Sequence, residues 1–267
     1  MSFAVLSTIF GLFFLFWILY ILISHGTAAL SMDIFTQDIP PPGFEGGGLR
    51  NAIVGSLLTS LFGMLIGTPI GILAGTYMSE FDPHSKIIPV IRFLNDILLS
   101  APSIVIGVFI YIAIVVPFGH FSGWAGSVAL SLIVIPVVVR TTDDMLKLVP
   151  NYMREAAAAL GAPKWKITTS IVYRAAMSGL VTGVILALAR IIGETAPLLF
   201  TALGNQFYND NMNEPMSALP VIIYNFAMSP YEHWQDLAWT ASLLITLFVL
   251  ILNILARTFL KSSGKRA

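Results

Sequence analysis

Six stretches of this sequence are apolar over lengths that match the hydrocarbon core of a bilayer, and that feature limits the fold more than any other. Phe3 to Ser24 is the first and carries no charge; Ala52 to Met78, Ile87 to Val116, Trp124 to Val139, Ala175 to Leu203 and Leu237 to Leu260 follow. A spanning helix needs about 20 mostly apolar residues and satisfies every backbone hydrogen bond within itself. The expected fold is therefore all-α, a polytopic membrane protein with about six transmembrane helices. Composition agrees: of 267 residues, 57% are hydrophobic and 10% charged, against roughly 25% charged in soluble domains. The first run is too long for a signal-peptide core and reads as an uncleaved helix.

Basic residues set the sidedness. Lys86, Arg92, Arg140, Lys147, Arg154, Lys164, Lys166, Arg174, Arg257, Lys261, Lys265 and Arg266 fall on one side, whereas Arg50 stands alone on the other. The positive-inside rule then places both termini in the cytoplasm. The net charge of zero argues against a nucleic-acid partner, and the absence of cysteine excludes disulfides and thiol chemistry. His25, His84, His120 and His233 lack metal-ligand spacing and read as loop residues, so neither a metal nor a cofactor is expected in this chain.

Residues 1-50 form a first helix with an external loop, and residues 51-267 form the core, with a cytoplasmic loop at 141-170. Asn51 is placed to cap the second helix, in which Gly67, Pro69, Gly71 and Gly75 permit close helix approach. Ile87 to Val116 is too long for one simple span. Ser100 to Ser103 reads SAPS, and the residue before Pro102 is pushed away from helical dihedrals. A break is expected there, after an amphipathic lead-in carrying Arg92, Asn95 and Asp96, with a plain proline kink as the alternative. Leu219 to Met228 is apolar but too short to cross, and Trp234 and Trp239 suit an interfacial belt.

Two features carry function. In the run Ala175 to Leu203 the only charges are Arg190 and Glu194. Arg190 falls near mid-membrane by count, four residues before Glu194 on one helical face, with Pro197 predicting a bend just beyond. An ionisable group there costs about 3 kcal/mol or more and is normally paired and turned inward. The pair reads either as a structural ion pair or as a site for an oxyanion, which the planar guanidinium fits. Arg140, at the end of the fourth span, either snorkels to the headgroups or faces the same path.

The second feature is Asn151 to Trp165, NYMREAAAALGAPKW. Asn151 is placed as a cap, Glu155 near the first turn, Gly161 where a left-handed residue ends a helix, and Pro163 beyond it. A helix of about nine residues is too short to be stable alone and needs a partner surface. Its alanines, Ala156 to Ala159, make a narrow body suited to a groove; an ordinary alanine-rich turn between spans is the alternative that the spacing leaves open.

Glu155, Ala156, Ala157 and Gly161, with Ile171 beyond, resemble the EAA motif of ABC importer permeases, whose short helix docks on the ATPase subunit. Tyr173 and Arg174 stand where that pattern usually has leucine and proline. Ala189 to Ala202 (ARIIGETAPLLFTA), Phe93 to Gly107 and Glu214 to Ala227 resemble PstA-type permeases of bacterial phosphate ABC transporters. The resemblance implies a type I ABC importer permease fold in the bacterial inner membrane, and transport of phosphate by alternating access. It implies as partners a second homologous permease, two ATPase subunits and an external phosphate-binding protein. Arg190, Glu194 and Arg140 become pathway residues, and Glu155, Ala156, Ala157 and Gly161 contacts to the ATPase. No GxxxxGK[ST] loop occurs, so ATP and magnesium are expected on the partner. A permease for sulfate, molybdate or phosphonate remains open, as does a channel or secondary transporter.

Overall fold

The structure, a computed structural model, describes residues 2–81 and 85–263; His84, Lys265 and Arg266 lie outside them. Every regular element among the described residues is helical. From the N-terminus these are α1 (Ser2–Gly26), a turn of helix α2 (Asp33–Thr36), α3 (Arg50–Glu80), α4 (Ile87–Ser100) and α5 (Ser103–Ile110). A π turn (Tyr111–Val115) leads into α6 (Val116–Phe118), followed by α7 (Gly123–Lys147), α8 (Asn151–Ala159) and α9 (Lys164–Ile167). A second π turn (Thr168–Val172) joins α9 to α10 (Tyr173–Ile191); α11 (Ala196–Leu199), α12 (Leu219–Ala227) and α13 (Glu232–Ser263) complete the chain.

A row of glycines on α3 builds the centre. Cβ atoms added at Gly63, Gly67, Gly71 and Gly75 would lie 3.0, 2.9, 2.7 and 2.6 Å from the Cβ atoms of Leu130, Val134, Val138 and Thr142. The spacing of four on both helices means that α3 and α7 run parallel, with backbones as close as missing side chains allow. Two parallel neighbours require the intervening chain to return across the bundle. The returning segment is α4 to α6, bent by 103° between Ser100 and Ser103, so that the bent pair and the five long apolar helices make six crossings. The expected SAPS break is thus real: Ala101 is extended (ψ 133) and Pro102 precedes α5.

Overpacking at this seam costs about 1–3 kcal/mol. Gly71→Val is expected to lower the thermal midpoint of the detergent-solubilised protein. Gly11→Ala, on the open face of α1 with nothing within 4 Å of the added atom, should leave it unchanged. An equal effect of both would remove the packing role from the glycine row.

Several expected boundaries move. Asn51 lies inside α3, whose cap is Leu49, and its amide donates instead to the carbonyls of Asn205 (2.8 Å) and Gln206 (3.0 Å), tying the outer loop to α3. Asn151 is the first residue of α8 after Pro150 and caps nothing. The fourth helix continues past Arg140 to Lys147, because Thr141, Thr142 and the ion-paired Asp143 and Asp144 extend it. The helix expected over Ala175 to Leu203 ends at Ile191, and Pro197 sits in the first turn of α11, where its missing N–H costs nothing. Trp234 is not a simple belt residue: its ring stacks on Phe226 at 4.3 Å between centroids.

Candidate functional site: a charge pair beside two coincident helix breaks

Packing fixes the depth of Arg190. Cβ atoms at Gly179 and Gly183 would meet Met145 and Thr141 at 2.2 and 2.6 Å, so α10 runs antiparallel to α7 in close register. Continuing that register places Arg190 level with Val134, about 16 Å from Gly123 at the outer end of α7 at 1.5 Å per residue. The arginine is therefore deep in the bundle, although it stands at the end of its own helix.

The break in α4–α5 lies at the same level. Ion pairs of Arg92 with Asp143 (3.2 Å) and of Arg140 with Asp96 (3.6 Å) set α4 antiparallel to α7, which puts Ala101 opposite the region of Val134. Ala101 packs on the cluster that contains Val134 and Ile191, in agreement with that register. Beyond the breaks, α5 and α11 touch directly: a Cβ at Gly107 would stand 2.7 Å from Pro197 Cα. Two spans thus interrupt at one depth and pack against each other. Interrupted backbone at membrane depth is tolerated only against protein or along a watered path.

Arg190 and Glu194 lie at this junction. Nε and Oε1 are 3.9 Å apart, with the arginine side chain 45% exposed and the glutamate 17%. Glu194 belongs to the turn after α10, its N–H donating to the carbonyl of Ile191 at 3.2 Å. Gly193 between them has nothing within 4 Å of an added Cβ. At 3.9 Å the pair is too long for a hydrogen bond. Among the described residues the guanidinium donates to nothing, so its fork is unspent and open to the surface of the chain. A charge within a span is normally turned toward protein or water.

Arg140 differs in each respect. It donates from Nε to Asp144 at 3.1 Å and pairs with Asp96, all three side chains being about half exposed. By register it is about 9 Å nearer the cytoplasm than Arg190. The structure does not bring the two arginines together, and Asp96 belongs with Arg140. Arg92, Asp96, Arg140 and the buried Asp143 link the cytoplasmic halves of α4 and α7.

The short helix of the loop ends as its punctuation predicts, although Asn151 does not cap its start. α8 spans nine residues, Gly161 adopts φ +78, its N–H donates to Ala158 O (2.9 Å), and Ala162 N–H donates to Ala157 O (3.2 Å). These two bonds are the Schellman arrangement that only a left-handed residue completes without strain. Glu155, Ala156 and Gly161 are exposed, whereas Ala157 is buried against Leu146, Val149 and Val172 and anchors the helix rather than offering a contact. Exposed apolar residues missed by sequence reasoning extend the face: Tyr152, Leu160 (89% exposed) and Trp165. Tyr173, where the EAA pattern usually has leucine, bonds through its hydroxyl to Thr76 Oγ1 at 2.8 Å. Its departure from the pattern thus buys a tie between α10 and α3.

Residues 67–267 match the family described as binding-protein-dependent transport system inner membrane component. The phosphate transport system permease protein PstA of Pasteurella multocida (strain Pm70) is 59% identical over 260 residues, covering 97% of this chain and 92% of that protein. Its counterpart in Haemophilus influenzae is 60% identical over 254 residues, covering 95% and 90%. Among solved structures, a chain of the MetNI methionine ABC transporter in an inward-facing conformation aligns with a TM-score of 0.62 at 20% identity, covering 80% of this chain and 94% of that one. That likeness concerns the fold.

Proposed function

We infer the function from one premise: this chain belongs to the inner membrane components of binding-protein-dependent transport systems, and within them to the PstA-type phosphate permeases. It is the membrane-spanning subunit of an ATP-driven phosphate importer and not itself an enzyme. In the complete transporter, in the bacterial inner membrane, it pairs with a second homologous permease. Two ATPase subunits hold ATP and magnesium and engage α8, and a phosphate-binding protein delivers the anion from outside. The observation that carries the mechanism is the unspent, exposed fork of Arg190 at the depth where two spans break.

The chemistry follows from the side chains. Arg190 offers a planar fork to the phosphate oxygens, and the carboxylate of Glu194 accepts the hydrogen bond of a protonated phosphate oxygen while repelling a fully deprotonated anion. The attraction must also be weak enough to release the ion. Glu194 serves that end by competing for the guanidinium at 3.9 Å. Arg140 stands about 9 Å further inward by register, already engaged by two carboxylates, as a second station that holds the anion only after displacing them. Movement of α8 with the ATPase alternately opens the Arg190 region to either side.

Reconstitution with the partner subunits, followed by binding-protein-dependent uptake of radiolabelled phosphate against sulfate, tests this reading. Phosphate alone should accumulate, and only with ATP; equal sulfate uptake, or uptake without ATP, would sink it. In the same vesicles Glu194→Gln is expected to lower the preference for phosphate over sulfate by about tenfold, the effect of one hydrogen bond to a charged group. Unchanged preference would leave selection to the binding protein alone.

A further inference from the structure

One arginine in the docking loop spends every donor it has. Arg154 Nε donates to Glu80 Oε2 at 3.2 Å, and Nη2 donates to Glu80 Oε1 at 2.6 Å and to the carbonyl of Leu146 at 2.8 Å. Nη1 donates to the carbonyl of Val149 and, at 3.4 Å, to Asn151 Oδ1. A guanidinium has five N–H groups, and all five are placed. The pair is also withdrawn from water, the Glu80 side chain being 6% exposed and that of Arg154 21%.

The partners come from three elements. Glu80 ends α3, Leu146 lies in the last turn of α7 with Val149 just beyond it, and Asn151 begins α8. Because the glycine row already locks α3 to α7, the arginine fastens the docking helix to a two-helix body. The chain route from α8 to Arg190 is less direct, passing the left-handed Gly161, Pro163 and the π turn Thr168–Val172. The residues that face outward for docking, Glu155, Ala156 and Leu160, take no part in the arginine's bonds.

We propose that the Arg154–Glu80 pair is the joint through which movement of the docking helix reaches α3 and α7, making Arg154 a positioning residue for transport rather than a docking contact. The proposal rests on the reading of the chain as an ATP-driven permease. A fork that bridges a carboxylate and two carbonyls resists rotation as well as separation, which is what a transmitting joint requires. Lysine keeps the charge but has three donors on one atom and cannot span the same set.

The test uses the assembled complex in proteoliposomes and reads phosphate taken up per ATP hydrolysed, together with the amount of ATPase retained. Arg154→Lys is expected to retain the ATPase and its hydrolysis while lowering uptake per ATP by about threefold. The chain has no cysteine, so Glu80→Cys with Arg154→Cys introduces one addressable pair. That double variant should lose coupling by about tenfold, and bridging the thiols with a short bifunctional reagent should restore most of it. Wild-type coupling in Arg154→Lys, or no recovery on bridging while ATP is still hydrolysed, overturns the joint. So does a loss of ATPase retention with the uptake-to-ATP ratio unchanged, which is the mark of a purely structural pair. If the wild-type complex itself fails to take up phosphate with ATP and binding protein, the functional reading falls and the joint with it. Wild-type uptake with normally coupled variants removes the joint alone.

Discussion

Arg190→Gln, in a complex that still assembles and hydrolyses ATP, is expected to reduce phosphate uptake by about a hundredfold, the loss of about 3 kcal/mol of charge-assisted hydrogen bonding at the anion. The reason lies in what the guanidinium is not doing. Its ion pair with Glu194 is stretched to 3.9 Å and its side chain is 45% exposed, so little of the fold depends on it. Glutamine keeps the length and polarity but removes the charge, and leaves Glu194 to repel an approaching anion. Arg190→Lys should fall between the two, since an ammonium offers a point charge without the fork. Uptake of radiolabelled phosphate against ATP turnover decides the matter. Wild-type uptake in Arg190→Gln would reduce the pair to a structural feature of the bundle.

The second large effect is expected at α8. Gly161→Pro should strip the ATPase from the purified complex, lowering retention by about tenfold or more, because proline locks φ near −65° and lacks the N–H. Gly161 needs φ +78 and donates to Ala158 O, so the substitution breaks the turn that ends α8. A nine-residue helix has no stability of its own to spare. Glu155→Lys should give a similar loss by another route, reversing the charge of an exposed side chain while leaving α8 folded. Retention of the ATPase through co-purification, with circular dichroism to follow helix content, separates the two causes. A complex that keeps its ATPase through both changes would place the docking surface elsewhere.

Much of this architecture was legible because its causes are local. The break at SAPS follows from the constraint that Pro102 puts on Ala101, two adjacent residues. The end of α8 follows from a glycine and a proline within three positions. The less legible parts have causes elsewhere in the chain. The fifth span ends at Ile191 rather than running to Leu203 because α11 turns to pack Pro197 on Gly107, a neighbour supplied by another helix. Ala157 looks like its alanine neighbours in sequence, yet only it meets Leu146 and Val172. Glu80 stands just past the second apolar run, and its partner Arg154 is 74 positions away.

The sequence by itself determined the apolar runs that become the long helices, the helix break at SAPS and the left-handed turn that ends α8. Each depends on transfer free energies or backbone dihedrals that a short window contains. Only the tertiary structure decided which arginines are spent and which are free. Arg154 is saturated, Arg140 is held between Asp96 and Asp144, and Arg190 keeps its donors at the depth of two coincident breaks. The physical reason is that a guanidinium's function depends on whether distant parts of the chain bring acceptors to it.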